Sequence, residues 1–548
     1  MRHDNARPRA VRRHASLIVL LLVISGLAAF GGPPASAEQA GSEVRRVATA
    51  SIAAGDSHTC ALLTDGTVRC WGYNYFGQLG STTNTGTTNP NPTPQPAVNL
   101  GARAVAIAAG AHHSCALLAT GTVRCWGYNW YGQLGSATNN GTGNPTPSPQ
   151  PAVNLGERAV AVTAGTSHSC ALLATGAVRC WGYNDAGQLG STTNNGTENP
   201  NPTPQPAVNL GERAVAITAG TEHTCALLTD GTVRCWGYNY LGQLGSATNT
   251  GTFNANPSPQ PAVNLGARAV ALTAAGAHSC ALLATGTVRC WGSNRNGQLG
   301  SATNTGTFNA NPSPQPGVNL GARAVALTAA GAHSCALLAN GIVRCWGYNH
   351  YGQLGSTTGD ANPTPQPAVT LTPLGASAVA VAGGSSYTCA TLTTGAVRCW
   401  GNNRYGQLGS TVNSGSHVAN PAPTATAIGS VRVLAPTNLA LQRKPKRDRK
   451  PPYVFRVRGQ VTGPFVADPA TCGGTVKLVV KKGKKKILQK TAPVTDTCTY
   501  AKTLKITTKK LRRKGITVHG KTKIRIIANY QGTTNLTRSK ASKLAFIG

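Results

Sequence analysis

SHTCALLTDGTVRCWGYNYFGQLG, residues Ser57 to Gly80, decides the fold of this chain, because the pattern returns six more times. The first cysteine of each copy stands at Cys60, Cys115, Cys170, Cys225, Cys280, Cys335 and Cys389, a step of 55 residues five times and 54 once. A fixed period of this size marks a solenoid or a propeller. Within a copy, CALLT and TVRCW are short apolar runs around a turn that always ends in Gly, which reads as a β-hairpin. Thr64-Asp65-Gly66 fits a three-residue loop, a type I turn followed by a residue in the left-handed region. Loop length sets register: with 64–66 as the loop, Leu62 faces Val68 and Cys60 faces Cys70, whereas a two-residue loop would set Cys60 against Trp71. The three-residue reading predicts a disulfide in every unit: Cys60–Cys70, Cys115–Cys125, Cys170–Cys180, Cys225–Cys235, Cys280–Cys290, Cys335–Cys345 and Cys389–Cys399.

Outward from the hairpin, PQPAVNLG and ARAVAI at 94–107 precede the second copy and recur before later ones. Together with the hairpin they give four strands per unit, the number a propeller blade needs. Strand alternation predicts that Val105 and Ile107 face one neighbour and Ala104 and Ala106 the other. The first copy is preceded instead by EQAGSEVRR, and PTATAIG at 423–429 follows the last. The expectation is that this final piece completes the first blade and so closes the ring.

The runs G-x-x-H-[ST]-x-A-L, x-x-G-x-V and W-G-x-N-x-x-G-Q-L-G resemble the regulator-of-chromosome-condensation repeat family over roughly Ala48 to Val433. The resemblance implies a seven-bladed β-propeller. It leaves function open, since the family includes a nuclear guanine-nucleotide exchange factor and a secreted bacterial inhibitor of β-lactamases. The paired cysteines depart from the nuclear namesake and belong with exported use.

Residues 1–37 read as a signal peptide: five Arg, the apolar run ASLIVLLLVISGLAAF, then Ala35-Ser36-Ala37 as cleavage site. Cysteine usage agrees, with sixteen Cys in pairs, the eighth being Cys472 and Cys498. Charge divides the remainder. Residues 38–442 contain no Lys and carry a net charge of +6, whereas 443–548 carry +25. The propeller is placed at 38–434, a basic Pro-rich linker at 435–452, and a basic β-sandwich, Ig-like in general build, at 453–548, because alternating strands without a helical period follow Tyr453. The whole chain is therefore read as all-β.

Candidate functional residues fall into three sets. His58, His113, His168, His223, His278 and His333 repeat at one position, with Tyr387 in the seventh copy. A metal or acid–base ring competes there with a packing role, and the Tyr substitution and the lack of a recurring carboxylate favour packing. The Arg before each second Cys, Arg69 and its equivalents, is read as a stem over apolar surface with a wet guanidinium, or as an anion-binding ring. More informative are the two residues between the constant Asn and GQLG, which do not repeat. Tyr75, Phe76, Trp130, Tyr131, Tyr240, Arg295, His350, Tyr351, Arg404 and Tyr405 stand there, in a chain that is only 5% aromatic. Aromatics and Arg enrich binding hot spots, so a partner-binding loop face is predicted.

In the basic domain Lys481, Lys482, Lys484, Lys485, Lys486, Lys509, Lys510, Arg512, Arg513 and Lys514 form clusters suited to a polyanion. No interleaved aromatics accompany them, which argues against sequence-specific nucleic-acid reading. The sequence thus points to a monomeric, secreted or envelope-associated, non-catalytic binding protein. Its partner is a protein or glycan, its basic domain holds it at an anionic surface, and no metal or cofactor is implied. A propeller hydrolase or lyase is the alternative, against which the acidic residues look scattered. Guanine-nucleotide exchange rests on family analogy alone.

Overall fold

The computed structural model describes residues 52–371, 377–426 and 428. Farther on it describes 438–439, 442–444, 447–448, 453–462, 475–482, 485–493, 499–514, 516–517, 522–530 and 539–547. The signal segment, Cys472, Cys498 and Lys484 lie outside the described residues.

Each of the seven repeats forms its own antiparallel sheet. In the first, Ile52–Ala54 pairs with His58–Leu62, which pairs with Val68–Gly72. Leu63 N–H donates to Thr67 O (2.9 Å) and Gly66 N–H to Leu63 O (3.0 Å), and Gly66 has φ of 89°. That is the three-residue loop, and Cys60 opposes Cys70 as it requires. The register recurs in every copy and the seven predicted disulfides are all formed.

The fourth strand comes from the segment after a hairpin, not from the one before it. Gln95 N–H donates to Cys70 O and Val98 N–H to Val68 O, both at 2.8 Å. Pro94 and Pro96 have no N–H to give, so the segment is held by two backbone bonds rather than a full ladder. The same pairing corrects the expected ring closure. Thr424–Ala425 pairs with Val397–Gly401, so PTATAIG is the seventh blade's own outer segment and does not complete the first. A second correction concerns the innermost strand. Ala104 and Ile107 pack towards the first blade, Val105 and Ala106 towards the third. A β-bulge between Ala104 and Ala106 shifts the alternation.

Adjacent blades meet through one repeated joint. His58 Nε2 lies 2.8 Å from Ser114 Oγ of the next blade. Ser114 spends its proton on Gln78 O (2.9 Å), so His58 must be the donor. Trp126 Nε1 donates to the same Gln78 O at 3.0 Å. The histidine contact recurs at five further joints. At the seventh, Tyr387 Oη donates to His58 O (2.5 Å), while Thr59 and Trp71 of the first blade donate to Gln407 O of the last. Ile52, Ala61 and Trp71 pack there with Tyr387, Val397 and Leu408. The ring is therefore closed by packing and side-chain bonds, not by strand exchange. The histidine ring is structural, as the Tyr substitution and the lack of a recurring carboxylate suggested.

Three of the repeated arginines are structural too. Arg124 donates from Nε, Nη1 and Nη2 to the carbonyls of Gln150, Leu100 and Pro149, at 2.8 to 3.0 Å, so it ties its own blade's outer segment to that of the preceding blade. Arg179 and Arg289 repeat this set. These guanidiniums pin the proline-rich segment by its carbonyls, where sequence reading had placed them in water or on an anion.

The C-terminal region forms two sheets over one core. Tyr453–Thr462 pairs with Thr499–Ile506 in one. The other is ordered Arg447–Asp448, Ser539–Ile547, Thr522–Tyr530, Thr475–Lys482, Lys485–Pro493. Phe455, Leu504, Leu478 and Ile526 are buried between them. Two details differ from expectation. Short strands Asn438–Leu439, Gln442–Lys444 and Arg447–Asp448 lie within the stretch read as linker and pair with this sandwich. A short helix, Thr508–Arg512, stands where only strands were foreseen.

Burial holds the His58, His113, His223 and His333 imidazoles down to about 3, and those of His168 and His278 to about 4. Above about pH 6.5 both folded and unfolded imidazoles are neutral. Below it only the unfolded chain takes up protons, so stability is lost as pH falls from about 6.5 towards 3 to 4. Unfolding near pH 5 should take up about six protons from this set, read from the pH dependence of the urea midpoint. His113→Gln should lower that uptake by about one, and a pH-independent midpoint between 6.5 and 4.5 would contradict the assignment.

Candidate functional site: an aromatic rim

The loop carrying the two variable residues is a pair of tight turns. Gly77 N–H donates to Asn74 O and Gly80 N–H to Gly77 O, both at 3.0 Å. Tyr75 and Phe76 are the central residues of the first turn. Asn74 Oδ1 accepts from Leu79 N–H, and its Nδ2 donates to Ser81 O and Thr83 O. Gln78 Oε1 accepts from Phe76 N–H (3.0 Å). Gly86 N–H reaches Tyr75 O (2.8 Å), and Thr146 N–H of the next blade reaches Phe76 O (3.0 Å). Gly77 has φ of 84°, and a Cβ there would come within 2.6 Å of the Pro147 backbone. The Phe76 N–H and the Tyr75 and Phe76 carbonyls are thus satisfied without the side chains of Tyr75 and Phe76. The side chains at these two positions are left over from folding and project at the end of the third strand of each blade. The Thr/Asn/Pro-rich loops after GQLG clip these turns in place.

Three of the variable second residues pack onto a tyrosine of the following blade. Tyr405 meets Tyr73 at 4.5 Å between ring centroids, Phe76 meets Tyr128 at 4.4 Å, and Tyr131 meets Tyr183 at 4.3 Å. Tyr73 also stacks with Tyr75, and His112 lies against Tyr73, Phe76 and Tyr128. The result is one aromatic cluster running from the seventh blade through the first to the second, Tyr405 to Tyr128, and a separate pair, Tyr131 with Tyr183, across the second and third. Trp130, beside Tyr131 in sequence, is 38% exposed. Elsewhere the pattern breaks. Tyr240 packs on Phe253, Arg295 lies over Phe308 at 4.2 Å, and His350 packs on Tyr351. Arg404 lies 5.3 Å from the Tyr405 ring.

Sequence reasoning found the variable pairs and missed their supports. Tyr73, Tyr128, Tyr183, Tyr238 and Tyr348 occupy the x of W-G-x-N, which holds Ser293 and Asn402 in the other two copies. That variation was the available signal. Phe253 and Phe308, 81% and 63% exposed, carried no signal beyond being aromatic in a polar loop.

Charge is unevenly spread over this face. Burial raises the Tyr183 and Tyr131 phenols, and Asp185, Glu198 and Glu222 raise both further. Glu222 is itself raised by burial and then by Asp185. Three acids, Asp185, Glu198 and Glu222, therefore gather beside the third and fourth blades, while Arg295, His350 and Arg404 stand in the fifth to seventh, with Asp360 facing His350 at 3.4 Å and Asp56 close to Arg404. A cavity of about 190 Å³ bounded by Thr221, Glu222, Tyr238 and Gly276 opens on the acidic side. Among the described residues, no group of three His, Cys, Asp or Glu is placed to hold a metal ion.

With this geometry in hand, the comparisons are specific. Residues 33–253 and 141–484 match the model of the RCC1-like domain. The chain is 30% identical over 363 residues to the ultraviolet-B receptor UVR8 of Arabidopsis thaliana, covering 65% of this chain and 78% of that one. It is 32% identical over 310 residues to the E3 ubiquitin-protein ligase HERC2 of Homo sapiens, covering 55% of this chain but 6% of the ligase. Among solved structures, Prp20p of Saccharomyces cerevisiae aligns with a TM-score of 0.54 at 23% identity, over 62% of this chain and 81% of that one. Human WBSCR16 aligns with a TM-score of 0.58 at 21% identity, over 68% and 96%.

The division between frame and side chain predicts two contrasting stabilities. Gly77→Ala should cost more than about 2 kcal/mol in urea unfolding, from the left-handed backbone and the Pro147 clash. Trp130→Ala should stay within about 0.5 kcal/mol of the parent. Comparable losses from both would mean that the exposed ring has a folding role.

Proposed function

The chain belongs to the RCC1-like repeat family, and on that footing we propose that it is an exported binding protein whose aromatic rim engages a partner protein. The observation that carries this reading is the aromatic cluster from Tyr405 to Tyr128, with the Tyr131–Tyr183 pair beside it, on turns held by hydrogen bonds of the repeated frame. Large, partly exposed rings on a fixed frame lose little conformational freedom on binding, which suits a hot spot. The yeast neighbour is described with binding to Gsp1p and histones, which supports a protein over a glycan as the partner class. The ligase relative is matched over so little of its length that its activity gives no ground for catalysis here.

Seven buried disulfides support use in an oxidising compartment. The strongly basic sandwich supports retention at an anionic envelope surface, by charge rather than by a specific fold.

Capture from culture medium and envelope extract with the full chain, followed by affinity measurement, tests the rim. A Trp130→Ala, Tyr131→Ala double variant should weaken partner binding by about 2 kcal/mol, roughly thirtyfold, with folding intact. Unchanged affinity in that variant and in a Tyr75→Ala, Phe76→Ala variant would remove the rim from recognition.

A further inference from the structure

The strand register of the C-terminal sandwich concentrates charge at one end of one sheet. In the hairpin of Thr475–Lys482 and Lys485–Pro493, Lys481 is directly opposite Lys486, and Lys482 opposite Lys485. On its other side Lys481 is opposite Arg525 of Thr522–Tyr530. Neighbouring strands lie about 4.8 Å apart. Five cations therefore stand on three adjacent strands within two rungs of the ladder: by strand alternation Lys481, Lys486 and Arg525 share one face, while Lys482 and Lys485 flank the same hairpin end from the other. Like charges placed directly opposite destabilise a sheet. Residues 443–548 contain 28 Lys plus Arg against three acids, Asp448, Asp468 and Asp496, so the region carries a large excess of positive charge. Lys486 Nζ also donates to Gln489 Oε1 at 3.3 Å.

We propose that this hairpin end, Lys481, Lys482, Lys485 and Lys486 with Arg525, is the site at which the domain binds a linear phosphodiester polymer. The proposal rests on the polyanion reading above and narrows it to one surface and one chemistry. Lysine serves phosphate as a point charge without demanding bidentate geometry. The described aromatic side chains of the sandwich, Tyr453, Phe455 and Tyr500, are buried in its core. None of these three is placed to stack a base, so the contact proposed is to the polymer's backbone charge rather than to its bases. The second basic cluster, Lys509, Arg512, Arg513 and Lys514, is carried by a helix of five residues and the turn after it. It lacks the rigid cross-strand spacing.

The test uses the full chain against three probes: oligo-deoxythymidine, poly(glycerol phosphate) and heparin, each titrated between 50 and 300 mM salt. Both phosphodiesters should bind within a few-fold of one another, since no base is read. Combined Lys481→Gln, Lys482→Gln, Lys485→Gln and Lys486→Gln should lower affinity more than tenfold. The slope of log affinity against log salt should flatten by about 3, near 0.7 for each phosphate no longer neutralised. Combined Lys509→Gln, Arg512→Gln, Arg513→Gln and Lys514→Gln should change the slope by less than about 1. Equal effects from the two variants would overturn the hairpin assignment in favour of a diffuse field. Tighter binding of heparin than of either phosphodiester would overturn the phosphate assignment. Failure of the parent chain to bind any of the three would overturn the polyanion reading itself.

Discussion

The carbonyl of the Gln in each GQLG run is the point on which the ring depends. It accepts two bonds from the next blade, one from a Trp indole and one from a Ser or Thr hydroxyl, as at Gln78 and again at Gln407 across the closing seam. The hydroxyl in turn accepts from the preceding blade's buried His. Because all three partners are buried, none can replace a broken bond with one to water, so each is costly to disrupt. Seven hydrogen-bonded, apolar joints of this kind hold a circle together without any strand crossing between its ends. That is why the Tyr387 joint can differ in detail: Tyr fills the His slot and bonds the His58 carbonyl, but the Gln407 carbonyl still collects its indole and its hydroxyl.

Much of this was legible in the sequence. The constant Gly of the hairpin loop fixed the register, and register alone brought Cys60 to Cys70. What the sequence hid was the phase of the repeat. A periodic chain looks the same whichever point is taken as its start, so PAVNLG could belong to the hairpin before it or after it. The choice is made by two N–H groups, those of Gln95 and Val98, aimed at Cys70 and Val68. The prolines around Gln95 weaken the strand signal that would have announced this. The bulge at Ala104 to Ala106 was hidden for a related reason, since an extra residue in a run of small apolar residues leaves the alternation looking intact.

The rim was partly legible for the opposite reason. Variation inside a constant frame is visible to the eye, so Tyr75, Phe76 and their equivalents could be picked out. Their neighbours could not be ordered, because contact runs from one blade to the next, between residues some fifty positions apart. Tyr131 meets Tyr183 and not Tyr128, which its position in the repeat would suggest. The gathering of Asp185, Glu198 and Glu222 is likewise a product of the ring, which brings the third and fourth repeats together at one edge.

The frame also explains why this face can diverge between blades while the hairpins cannot. At six of the seven turns the Asn side chain, the Gln side chain and two loop N–H groups hold the backbone, whichever residues occupy the variable pair, and the sixth keeps all but one of these bonds. Ala186 and Leu241 accept the same next-blade Asn N–H through their carbonyls as Tyr131 does. An aromatic second residue adds only a ring contact across the joint, on the order of 1 kcal/mol. Blades without one keep the same turn and the same joint. Folding therefore constrains the backbone of these positions more than their side chains, which is why the turn tolerates Ala186 and Leu241 as well as aromatic rings.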